Sequence, residues 1–119
     1  RILFVDDEEG IRKYANRVLL KNGYAVFLAA DVKEALEIYK KKKGNFDLVI
    51  SDVVLPDKTG TELVNQLLSD KPKLKVIFCS GYLDDRSQQE IIHGKGHKFL
   101  HKPYQLNELL VAVKETLGG

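Results

Sequence analysis

Four short apolar runs in this chain each end on a polar residue, and the polar residues are chemically complementary. Ile2-Leu3-Phe4-Val5 ends on Asp6-Asp7, Leu48-Val49-Ile50-Ser51 on Asp52, Val76-Ile77-Phe78-Cys79 on Ser80, and Phe99-Leu100-His101 on Lys102-Pro103. Runs that are apolar throughout, rather than alternating with polar residues, belong to strands covered on both faces, as in parallel sheets with helical crossovers. The C-terminal ends of such strands lie along one edge, where ligands bind. Three acids, a hydroxyl and an amine would meet there. Converging carboxylates repel each other unless a cation stands among them, so the pattern points to a divalent-metal site with a carboxylate at its centre.

The segments between the runs carry the helical period. Ile11, Tyr14, Ala15, Val18 and Leu19 recur at helical spacing, and Asn22-Gly23 ends the segment as a C-cap would. A further strand, Ala25 to Leu28, precedes Asp31-x-x-Glu34, a capping-box-like start that leads into Ala35, Leu36 and Tyr39 on one face. Thr59-x-x-Glu62 opens a helix with apolar Leu63, Leu67 and Leu68, and Lys71-Pro72 stops it. Asp84 to Ile92 predicts a short, weakly amphipathic helix broken by Gly94 and Gly96, while Leu106, Leu109, Leu110, Val113 and Leu117 form the clearest stripe of all. Strand and helix thus alternate five times. With right-handed crossovers this gives an α/β fold, a doubly wound five-stranded parallel sheet with helices on both faces.

The 119 residues, 44% hydrophobic with a formal charge of +2, suit one compact soluble domain spanning residues 1–119. The cationic surplus is too small for a nucleic-acid surface, and the apolar stretches are too short to insert in a membrane. No leader opens the chain, so a cytoplasmic location is the expectation. The absence of methionine leads us to expect a piece of a longer protein, with Gly118-Gly119 as a domain end. The lone Cys79 lies within a strand-like run, which favours a buried inert thiol and excludes an internal disulfide. Lys40 to Lys43 precede Gly44 and read as a solvated helix end, where cations complement the helix dipole.

A solvated helix start accounts well for Glu8 and Glu9, but poorly for Asp6 and Asp7 once Asp52 stands on a neighbouring strand. Two carboxylates and a backbone carbonyl make an adequate open site for a hard cation. Lys102 can reach the same crevice, either as a salt-bridge partner for the acids or as a charge awaiting phosphoryl oxygens. Ser80 can donate one hydrogen bond to such an oxygen. A metal, a lysine and a hydroxyl around a carboxylate nucleophile supply what phosphoryl transfer needs, and Asp52, alone at the end of the central strand, is the natural nucleophile. His93, His97 and His101 recur every four residues, yet Gly94 and Gly96 break the helix that a transition-metal site would need. No Gly-x-x-x-x-Gly-Lys loop is present to support nucleotide hydrolysis.

Asp6-Asp7 after the first strand, Asp52 with Pro56 and Gly60 after the third, Ser80 after the fourth and Lys102-Pro103 after the fifth together resemble the response-regulator receiver domains of two-component signalling. The resemblance covers essentially the whole chain. It implies a flavodoxin-like strand order 2-1-3-4-5 and a phosphoacceptor switch that catalyses only its own phosphorylation and dephosphorylation. Asp52 would accept a phosphoryl group from the phosphohistidine of a histidine kinase or histidine phosphotransfer domain. Mg²⁺, with Mn²⁺ as a substitute, would be held by Asp7, Asp52 and the Val54 carbonyl, with Asp6 acting through water. Lys102 and Ser80 would bind phosphoryl oxygens. Ser80 and Phe99 would be the switch pair, reshaping the face made by the fourth helix, fifth strand and fifth helix for a flanking or downstream effector. A cis Lys102-Pro103 bond is implied as well. Ser80-Gly81-Tyr82 and the segment Phe99 to Pro103 are similar to receivers attached to hybrid sensor kinases.

The side chain of Val54, two residues after Asp52, cannot orient an attacking water, so a persistent phosphoryl group is expected. The same residue counts against an aspartyl-phosphate hydrolase, which would place a second acid there. The alternative is a protein-interaction module with a vestigial, unphosphorylated site.

Overall fold

In the structure, a computed structural model that describes residues 1–80 and 97–118, every predicted strand forms. The elements are β1 (Ile2–Val5), α1 (Glu9–Lys21), β2 (Val26–Ala29), α2 (Val32–Lys41), β3 (Leu48–Asp52), α3 (Gly60–Asp70), β4 (Lys75–Ser80), β5 (Lys98–His101) and α4 (Leu106–Thr116). The helix expected over Asp84 to Ile92, with its breakers Gly94 and Gly96, lies outside the described residues. All strand pairs are parallel and the order is β2-β1-β3-β4-β5, as the resemblance implied.

Successive strand residues point to opposite faces, and each face is covered by its own helices. Leu3, Val5, Val49, Val76 and Phe78 pack with residues of α2 and α3, among them Val32, Ala35, Leu63 and Leu67. Ile2, Phe4, Leu48, Ile50, Ile77 and Leu100 pack with Ala15 and Leu19 of α1 and with Leu109, Ala112 and Val113 of α4. The unbroken apolar character of the runs follows from this double cover. β2 is an edge strand and only Ala29 in it is fully buried.

Local signals set the helix ends. Asn22 caps α1 and Gly23 follows at φ +91°, in the left-handed region. Asp31 caps α2 by accepting from the Glu34 N–H at 2.8 Å. The return arm of that box differs from expectation, because the Glu34 carboxylate accepts from the Ala30 N–H, one residue before the cap. Thr59 caps α3 by accepting from the Glu62 N–H. Lys41 ends α2 and Lys42 lies over the Phe27 ring, in keeping with a helix-end role for the lysine run.

Candidate functional site

The register brings the polar strand ends together. Val5 is paired with Ser51, so Asp6 stands beside Asp52; Asp52 is paired with Cys79, and Ser80 with His101, so Lys102 follows at the same edge. The Lys102 N–H donates to the Ser80 carbonyl at 2.8 Å, and the Lys102-Pro103 bond is cis. From this anchor the Lys102 ammonium donates to Asp6 Oδ2 at 2.7 Å and to Asp52 Oδ2 at 2.9 Å. The second Asp6 oxygen, Oδ1, accepts from the Glu8 N–H at 2.9 Å. Asp6 is 1% exposed and Asp52 8%, whereas Asp7 is exposed.

Burial pushes the Asp52 carboxyl above its ordinary range; Lys102 opposes this, and the neighbouring Asp6 and Asp7 reinforce it. Burial alone would pull the Lys102 ammonium down, but its bonds to Asp6 and Asp52 prevail and hold it above the usual lysine value. Cys79, directly behind the site, is buried and its thiol is pushed up by that burial, in keeping with an inert role.

Asp6, Asp7 and Asp52 each offer a carboxylate oxygen, all within 4.8 Å of one another. That is an all-oxygen donor set with one exposed member, which fits a hard cation that keeps several waters. Ser80 lies buried at the end of β4. Val54 is 60% exposed, with its backbone paired to Thr59 across the β3–α3 loop. Phe99 is half-buried, packs on the face covered by α2 and α3, and has its ring 4.8 Å from that of His101. Among the described residues, His97 lies against Phe78 and His101 against Phe99, while His93 falls outside the described residues.

The sequence reading did not find three further residues around the site. Arg12, one turn into α1, donates from its guanidinium to the Asp6 carbonyl at 2.7 Å, holding the backbone of the acid pair. Tyr104, just past the cis proline, buries a hydroxyl that has no partner among the described residues. Asp57 reaches from the β3–α3 loop to the start of α2. None of these contacts has a local spacing signature; each depends on which loops the fold brings side by side.

Comparison with known proteins agrees with this geometry. Residues 2–114 match the response regulator receiver domain family. The chain is 40% identical over 116 residues to the sensor kinase CckA of Brucella abortus, covering 98% of this chain and 12% of the kinase. It is 34% identical over 119 residues to the sporulation initiation phosphotransferase F of Bacillus subtilis, covering 98% of this chain and 93% of that protein. The crystal structure of a CheY-like receiver domain protein from Methanospirillum hungatei superposes with a TM-score of 0.89 at 33% identity, over 99% of this chain and 93% of the other. The chain belongs to the response regulator receiver domain family of two-component signalling. Domains of this family interact with histidine kinases or phosphotransfer proteins and generally bind Mg²⁺ at an acidic pocket, and an aspartate cluster is present in this chain. Among the described residues no helix is long and apolar enough to cross a membrane.

Proposed function

We propose that this domain is a phosphoacceptor switch in which Asp52 takes a phosphoryl group from the phosphohistidine of a histidine kinase or a histidine phosphotransfer domain. The observation that carries this reading is the Lys102 ammonium bridging Asp6 and Asp52 at 2.7 and 2.9 Å, with Asp7 completing an acid cluster at the strand ends. In the transfer an Asp52 carboxylate oxygen bonds to phosphorus while the P–N bond to the donor histidine breaks; the imidazole keeps the bonding pair and takes up a proton. Asp7, Asp52 and the Val54 carbonyl would hold Mg²⁺, with Asp6 acting through water; the ion supplies positive charge for the phosphoryl oxygens. Lys102 exchanges its carboxylate partners for a phosphoryl oxygen, and the Ser80 hydroxyl donates to another. Phe99 then fills the space that Ser80 leaves, which alters the surface of β5 and α4 offered to an effector. The chain catalyses only its own phosphorylation and dephosphorylation, and the Val54 side chain, with no group to orient water, leaves the phosphoryl group long-lived.

The test is incubation with acetyl phosphate with and without Mg²⁺, read by intact mass against Asp52→Asn. A single Mg²⁺-dependent phosphoryl adduct, absent in the variant, is the expected result. No adduct would favour an interaction module whose site is vestigial.

A further inference from the structure

The loop between β3 and α3, residues 53–59, carries Val54 and is fixed at its base by the sheet. The Val53 N–H donates to the Cys79 carbonyl at 2.9 Å and the Gly60 N–H to the Val53 carbonyl at 2.7 Å, while Val54 pairs with Thr59. Its tip is fixed differently. Asp57 Oδ1 accepts from the N–H groups of Val32 and Lys58, and Asp57 Oδ2 from the N–H of Lys33, each at 3.0 Å.

Val32 and Lys33 are the first two residues of α2, and the donor of the third, Glu34, is taken by the local cap Asp31. The free donors of the first turn are therefore shared between a local carboxylate and one that is 24 and 25 residues away in the chain. α2 already has its own cap in Asp31, so what the distant carboxylate adds is a tie between the helix start and a loop far away in the chain. Burial alone would raise the Asp57 carboxyl, but the backbone hydrogen bonds, those from Val32, Lys33 and Lys58 among them, together prevail and hold it below its ordinary range.

We propose that Asp57 is a positioning residue for the metal and phosphoryl site: it pins the tip of the β3–α3 loop to the N-terminus of α2 and so fixes the backbone of Val54. The inference rests on the reading of the Val54 carbonyl as a metal ligand. Outer contacts that hold a ligand in place commonly change metal affinity by about tenfold or more. Asparagine cannot replace the carboxylate, because it accepts on one side only and would turn an amide donor toward the N–H of Val32 or Lys33.

The experiment titrates Mg²⁺ alone into the full chain, followed by amide NMR, for wild type, Asp57→Asn and Asp31→Ala, with a thermal melt of each. Asp31→Ala removes the local cap of the same helix turn and leaves the clamp in place. Asp57→Asn is expected to weaken Mg²⁺ binding by roughly tenfold and to raise the Mg²⁺ concentration needed for half-maximal phosphorylation, with the rate at saturating Mg²⁺ near that of wild type. Asp31→Ala is expected to melt lower with wild-type Mg²⁺ affinity. Equal weakening in both variants would reduce Asp57 to a helix cap and overturn the proposal, as would wild-type affinity in Asp57→Asn. A wild-type chain that binds no Mg²⁺ would overturn the metal reading itself, and the role of Asp57 with it.

Discussion

Lys102 has only 11% of its side chain exposed, and it is the cation that both Asp6 and Asp52 contact. Removing one partner from a buried charge group leaves the others uncompensated, which typically costs about 3 kcal/mol. Lys102→Ala should therefore unfold at lower urea than wild type in chelator, and Mg²⁺ should recover more stability for the variant than it adds to wild type. A Mg²⁺ response equal in the two proteins would show that lysine and metal do not share the acids. Asp52 itself gives a pH signature. Its carboxyl is raised from 3.8 in the folded chain, chiefly by burial, so the folded state keeps that proton to higher pH than the unfolded state does. The contribution of Asp52 to stability thus falls as pH rises from about 3.8 through the raised folded value. In chelator, the stability of Asp52→Asn minus that of wild type should widen over this window and then level off, as read by urea unfolding at a series of pH values. The acids and Lys102 were legible because each ends an apolar run. Which of its two roles Lys102 fills was not, since that depends on distances between strands; in this structure it is the salt-bridge partner.

At the scale of elements, the start of α3 lies hard against the end of β3. A Cβ on Gly60 would stand 2.0 Å from the Asp52 carbonyl oxygen and 2.8 Å from Ser51 Oγ, so the start of α3 can lie against the end of β3 only with glycine there. Gly60→Ala must push the helix away from the strand, with a cost of about 2 kcal/mol by analogy with overpacked cores. We expect a lowered urea midpoint together with slower phosphoryl uptake, because the displaced backbone is that of Asp52. A variant that loses stability and keeps the wild-type uptake rate would show that the strand end is rigid enough to absorb the clash. The helix starts at Asp31 and Thr59 were readable from their side chains. The start of α4 was not: the Gln105 N–H donates to Glu108 across its first turn, and glutamine is a poor cap signal. β2 begins one residue later than its apolar run suggested, as edge strands with little burial leave their ends weakly marked.

For the molecule as a whole, strand order and double helical cover were accessible because an unbroken apolar run demands burial on both faces. The two packed faces share no helix among the described residues, α2 and α3 serving one and α1 and α4 the other. What escaped the sequence were contacts between segments far apart in the chain or in different elements: the Asp57 clamp on the start of α2 and the Arg12 bond to the Asp6 carbonyl. These join segments that become neighbours only once the sheet has formed. The bridge from Lys102 to the two aspartates also has a consequence for the whole domain. An ammonium carried on the chain has a fixed local concentration, whereas the occupancy of a diffusible ion follows its abundance in solution. With its own cation in place, the acidic edge stays partly compensated when metal is scarce. Folding thereby depends less on the ionic supply, and reactivity is left as the property that follows it most closely.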